Sequence, residues 1–152
     1  MPSDISCRGA TPDDFPAIQS VIDEWFARPM ASALPRLFLD HFHATSTVAT
    51  WPDDSLAGFL VAFLSPSIPL EAYIHFVGVA PEARGRGLAR GMYQDFFERA
   101  AAAGCERVRA ITSPVNTTSI AFHRAMGFAV EGPVADYAGP GVDRMVFTRP
   151  LS

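Results

Sequence analysis

The chain has 152 residues, 49% hydrophobic and 18% charged, which suits one domain with a real core and excludes a disordered tail. A formal net charge of −4 argues against bulk nucleic-acid binding, which needs a basic surface, and no apolar run reaches a membrane span. Cys7 and Cys105 lack metal-site spacing and read as reduced thiols; Met1 to Ala10 lacks the apolar core of a signal peptide, so the cytoplasm is the most economical location.

Ile5 to Arg8 alternates apolar and polar residues, a short first strand. Thr11-Pro12-Asp13-Asp14 starts a helix, with Thr11 as cap, Pro12 at the first position and acids in the first turn. Phe15, Ile18, Val21, Ile22, Trp25 and Phe26 give that helix one apolar face, and Arg28-Pro29 ends it. A second helix is expected over Leu34 to Phe42, with Leu34, Leu37, Phe38 and His41 on one side. Thr45 to Trp51 reads as a strand, Pro52-Asp53-Asp54 as a turn, and Leu56 to Leu64 as a more buried returning strand. Glu71 to Val79 is the next strand. A helix follows from about Gly87 to Ala103, stopped by Gly104. Arg107 to Thr112 is a strand, Thr117 to Met126 a helix, and Phe128 to Glu131 and Arg144 to Arg149 are closing strands. This order predicts an α/β fold of the α+β type with a sheet of mixed direction, in one domain over residues 1–152.

The most informative stretch is Val77-Gly78-Val79-Ala80-Pro81-Glu82-Ala83-Arg84-Gly85-Arg86-Gly87-Leu88-Ala89-Arg90. A strand feeding a small-residue turn at a helix N-terminus exposes unpaired N–H groups beside the positive end of the helix dipole. Such a turn cradles phosphate. Gly85 and Gly87 admit close approach to the main chain, and Arg84, Arg86 and Arg90 offer cationic forks. The glycine spacing fits neither the dinucleotide fingerprint nor a P-loop, which weakens a nucleotide-binding reading.

Arg84-Gly85-Arg86-Gly87-Leu88-Ala89 resembles the pyrophosphate-binding signature of the GNAT N-acetyltransferase superfamily, Gln/Arg-x-x-Gly-x-Gly/Ala. Downstream, Asn116 opening a short helix, Phe122-His123, and the exit Gly127-Phe128 resemble that family's second signature. The matched segments run from about Tyr73 to Phe128. The resemblance implies a mixed, mostly antiparallel sheet of six to seven strands flanked by about four helices. It implies acetyl-CoA as co-substrate, with no metal, and a primary amine of a small molecule or peptide as acceptor. It also allows a homodimer.

Within that resemblance the amides from Arg84 to Ala89 would anchor the diphosphate, with Arg90 beside them. The main chain of Val77, Gly78 and Val79 would meet the pantetheine arm. Asn116 would bond to the cofactor or cap the helix that follows it, and Ser119 and Phe122 would line the cofactor groove. Strand alternation puts Glu71, Tyr73 and His75 on one face, a polar set that suggests a wet cleft. His75 is a candidate general base, with a structural role as the competing reading, and Glu71 is a second candidate. His123 stands where the family usually has tyrosine, a general acid in imidazolium form or a cofactor contact only. Asp136 and Tyr137, in the Gly/Pro-rich loop before the last strand, are candidate acceptor contacts. Trp25, Phe26 and Met30 are candidates for the opposite wall, with core packing as the alternative for Trp25. The competing whole-protein reading is a catalytically silent acyl-CoA sensor.

Overall fold

The computed structural model describes residues 4–151. Its strands are β1 (Ser6–Gly9), β2 (Thr47–Thr50), β3 (Leu56–Leu64), β4 (Glu71–Val79), β5 (Arg107–Thr112), β6 (Ala129–Val134) and β7 (Arg144–Pro150). Its helices are α1 (Phe15–Phe26), α2 (Leu37–Phe42), α3 (Leu88–Ala102) and α4 (Thr117–Ala125). The strand order is β1-β2-β3-β4-β5-β7-β6. The ladders β1–β2, β2–β3, β5–β7 and β6–β7 are antiparallel, and β4–β5 is parallel. The chain divides into two units, one reaching through Phe63 and including Ile74–Phe96, the other comprising Leu64–Tyr73 and the chain from Phe97 onward.

In the first unit, α1 is entered through a short turn at Pro12–Asp14. The Asp14 carboxylate accepts from the Thr11 amide at 2.8 Å and from the Arg8 guanidinium. The helix buries Ile18, Ile22 and Trp25 as its spacing requires. After Ala27 takes a left-handed cap, Asp23 Oδ1 accepts from the amides of Met30 and Ala31, each at 2.8 Å, and fixes the exit. The second helix is shorter than expected. Leu34 precedes Pro35, which disfavours helical backbone before it, so α2 starts only at Leu37. Its buried residue is Leu39, whereas Leu37 is 49% exposed, a correction to the expected face.

The β2–β3 hairpin forms as expected, and Leu88, Met92, Tyr93 and Phe96 are buried on α3. In the second unit, Val108, Ala110, Ile120, Phe128 and Phe147 form the core, with Phe97 packed on Phe128 at 5.8 Å between ring centroids. β6 runs beyond Glu131, past a register shift at Gly132-Pro133 that reads in sequence as a strand breaker.

Candidate active site

β4 ends at Val79, and a turn over Pro81–Ala83 leads through the glycines into α3. Gly85 and Gly87 both have φ of +78°, where any residue with a Cβ is strained. A Cβ built on either glycine meets nothing within 4 Å, so the space above both is open. Among the described residues the amides from Gly85 to Arg90 donate to no acceptor; the first helical bond of α3 runs from Gly91 to the Gly87 carbonyl at 3.0 Å. Open space, a row of unspent N–H groups and the positive end of a helix together make an anion cradle.

The arginines do not all serve it. The Arg84 guanidinium donates to the Trp25 carbonyl at 2.7 Å, and Arg86 pairs with Asp4 at 3.2 Å and lies 5.1 Å from the centre of the Trp51 ring. Two of the three expected phosphate forks are thus turned to protein partners. Arg90 is exposed and has no such partner among the described residues.

The β4–β5 ladder covers Glu71, Ala72 and Tyr73 and ends there. From Ile74 to Val79 that edge of β4 has no strand partner among the described residues, so the main chain around Val77, Gly78 and Val79 keeps groups to offer a ligand, except the Val79 carbonyl, which accepts from Arg84 Nε at 3.4 Å. A Cβ on Gly78 would fall 2.5 Å from the Phe59 ring, so this glycine is required by packing.

The polar side chains of β4 are not the wet set that alternation suggested. Glu71 is buried, and its Oε1 lies 3.0 Å from Arg107 Nε and 3.6 Å from Arg109 Nε. Buried and committed to two guanidiniums, this carboxylate does not face solvent, which corrects the expectation of a wet position there. Tyr73 is half-buried, and burial, with Tyr137 nearby, pushes its hydroxyl up to about 12 while Arg109 pulls it down. His75 Nε2 donates to the Ala33 carbonyl at 2.8 Å, and its ring stacks on Phe38 at 4.0 Å. Burial lowers its pKa, so at neutral pH the ring is uncharged, and with the proton on Nε2 the lone pair sits on Nδ1.

On α4, Asn116 Oδ1 accepts from the Ser119 amide at 3.1 Å and Nδ2 donates to Thr112 Oγ1 at 3.3 Å, the helix-cap reading of this residue. His123 is buried. Its Nδ1 donates to the Ser119 carbonyl at 2.8 Å, its ring stacks on Phe147 at 4.1 Å, and Phe122 and Phe128 meet it edge-on. Burial lowers its pKa and disfavours the imidazolium. That corrects the expectation of a cationic acid at this position.

In the β6–β7 loop both carboxylates are used internally. Asp136 Oδ1 accepts from the Gly141 amide at 2.7 Å and Asp143 Oδ1 from the Asp136 amide at 3.0 Å, leaving Tyr137 as the exposed candidate contact. Trp25 is buried and stacks on Phe59, a core residue, whereas Phe26 is half-buried and packs edge-on against Phe76. Trp25 also lines a cavity of about 650 Å³ with Trp51, Glu24, Asp53 and Glu82, whose acids disfavour phosphate. Arg107 and Arg109 escaped the sequence reading; the alternation Arg107-Val108-Arg109-Ala110 was their only local signal.

Comparison with known proteins places this geometry. The family model for the acetyltransferase (GNAT) family matches residues 14–128. The chain belongs to the GNAT family. It is 32% identical over 81 residues to the L-2,4-diaminobutyric acid acetyltransferase of Nocardia farcinica, covering 53% of this chain and 42% of that one. It is 31% identical over 137 residues to the enzyme of the same name from Bordetella parapertussis, covering 89% and 72%. The match spans about half the length of the first such relatives. Among solved structures, a GNAT phosphinothricin acetyltransferase from Sinorhizobium meliloti in complex with AcCoA has a TM-score of 0.76 at 21% identity, covering 98% of this chain and 89% of that one. The seven-stranded α/β architecture is therefore the GNAT fold, as the sequence resemblance implied. Among the described residues no helix is long and apolar enough to cross a membrane.

Proposed function

We propose that this protein is an N-acetyltransferase that moves the acetyl group of acetyl-CoA to a primary amine of a small molecule. Family membership supports the reaction class, and the row of unspent amides from Gly85 to Arg90 carries the cofactor assignment. These amides, with Arg90, hold the diphosphate, and the unpaired edge at Val77, Gly78 and Val79 receives the pantetheine amides. Bound acetyl-CoA supplies a thioester whose carbonyl carbon the amine attacks; the new C–N bond replaces the C–S bond and the thiolate departs. The amine must reach that carbon neutral. His75 Nδ1 takes its proton, a role that an uncharged imidazole can fill and an imidazolium cannot. Ser119 and Phe122 keep the groove-lining role the resemblance implies. Glu71 is a structural ion-pair partner and His123 a packing residue, so the thiolate takes its proton from solvent. We also read residues 1–152 as one domain, since the family match runs through both units, and propose a cytoplasmic location for it.

The relatives named for L-2,4-diaminobutyric acid make that compound the first acceptor to try. Calorimetry with acetyl-CoA, followed by thiol release in the presence of L-2,4-diaminobutyrate and a panel of other amines, tests the proposal. Binding with turnover supports it. Tight binding with no turnover on any amine favours the sensor, and absence of binding overturns both.

A further inference from the structure

A second polar arrangement lies wholly within the second unit. The parallel register pairs Tyr73 with Arg109, and the antiparallel register pairs Arg109 with Thr148, so three half-buried polar side chains stand in a row on one face of β4, β5 and β7. Arg109 is the unusual member. Among the described residues its Nε is buried with no hydrogen-bond partner, and its one ion-pair contact is the 3.6 Å approach to Glu71 Oε1. That oxygen is already taken by Arg107 Nε at 3.0 Å, and Arg107 Nη2 donates to the Pro69 carbonyl. Two guanidiniums thus share one carboxylate, leaving a net positive charge in a protein whose formal charge is −4.

The outer nitrogens of Arg109 donate to no acceptor among the described residues and are not among its buried atoms. A planar fork with open Nη donors, held at its base, matches a carboxylate. The Tyr73 hydroxyl stands across the register from it, and Tyr137 comes near from a loop fixed by Asp136 and Asp143. A half-buried cation with unused donors gains more from an anionic partner than a solvated one does.

We propose that Arg109, flanked by Tyr73 and Thr148, binds the carboxylate of the acceptor, so that the acceptor is an amino acid rather than a plain amine. This rests on the acetyltransferase reading and adds the substrate class to it. Tyr137, exposed in its loop, supplies a further hydroxyl donor.

Matched acceptors differing only in the carboxylate test the proposal: L-2,4-diaminobutyrate against 1,3-diaminopropane, and L-lysine against cadaverine. The intact protein should prefer the carboxylated member of at least one pair by tenfold or more in kcat/KM, roughly the worth of one charge-assisted pair. Arg109→Gln should erase that preference mainly through KM, affecting the diamines far less, and Arg109→Lys should restore part of it. Equal loss on both members of a pair, or no preference in the unaltered protein, overturns the proposal. If neither pair is turned over, titration of the same compounds decides. Carboxylate-dependent binding lost in Arg109→Gln supports the site even where the transferase reading fails, and its absence overturns the site. A thermal melt of each variant identifies loss that comes from unfolding.

Discussion

Glu71 holds two guanidiniums with one carboxylate oxygen, and its burial makes that arrangement a structural element of the second unit. Replacing it by Gln keeps a hydrogen-bond acceptor for Arg107 but removes the countercharge from two half-buried cations. Glu71→Gln should therefore lower stability by about 2 kcal/mol, as charged hydrogen-bond losses do, while leaving the affinity for acetyl-CoA unchanged. Urea unfolding and calorimetry read the two quantities separately. Unaltered stability with abolished turnover would restore Glu71 as the base. Alternation in the sequence correctly put Glu71 and Tyr73 on one face, but a strand's side chains take their chemistry from the neighbouring strand. The first of the two cations of β5, Arg107, lies 36 residues away from Glu71 in the chain, and a one-strand reading could not see them. The same limit hid the Arg109 fork and made a paired carboxylate look like a free one. The surroundings of His123 lay beyond the sequence for a related reason: helical position is local information, whereas the stack on Phe147 is not.

At the scale of elements, the turn between β4 and α3 was legible because its signals are all local. Glycine at two positive-φ positions, a proline before them and a helix after them specify the conformation without help from distant residues. The bounds of β3, β4 and β5 follow the expected ones for the same reason, since apolar runs end at prolines and glycines there. α2 differed because Pro35 acts on the residue before it, an effect the apolar spacing does not report. What the turn contributes to binding can be isolated with Gly87→Ala. The space above Gly87 is open, so the methyl group causes no clash with the protein. Its cost is conformational, about 1 kcal/mol for an L-residue at this φ, and the added group protrudes where a ligand would sit. Gly87→Ala should melt only slightly lower yet bind acetyl-CoA at least tenfold more weakly. A variant that melts lower but binds normally would move the diphosphate off this turn.

For the whole molecule the expected pH response rests on two histidines, one in each unit: half-buried His75 against Phe38 and the Ala33 carbonyl, and buried His123 against Phe147 and the Ser119 carbonyl. In both, burial outweighs the carbonyl bond and lowers the folded-state pKa. The unfolded chain then takes up protons first as pH falls, so its population rises. Stability is complete above the ordinary imidazole pKa of about 6.5 and declines below it, toward each ring's lower folded value. The carboxylate of Asp14, whose pKa is lowered chiefly by its bond to Arg8, acts in a separate window below about 4. Denaturant unfolding at steps from pH 7.5 to pH 5 should therefore show a slope that neither the acids nor the arginines explain. His123→Phe keeps an aromatic ring in the stack but gives up the bond to Ser119, so its stability at pH 7.5 should fall by about 1 kcal/mol. The informative quantity is the slope, which should shrink in His123→Phe, shrink in His75→Phe, and vanish in the double variant. A double variant that still loses stability between pH 7 and 5 would place the titrating groups elsewhere, and His75 would lose the physical basis for resting uncharged at neutral pH.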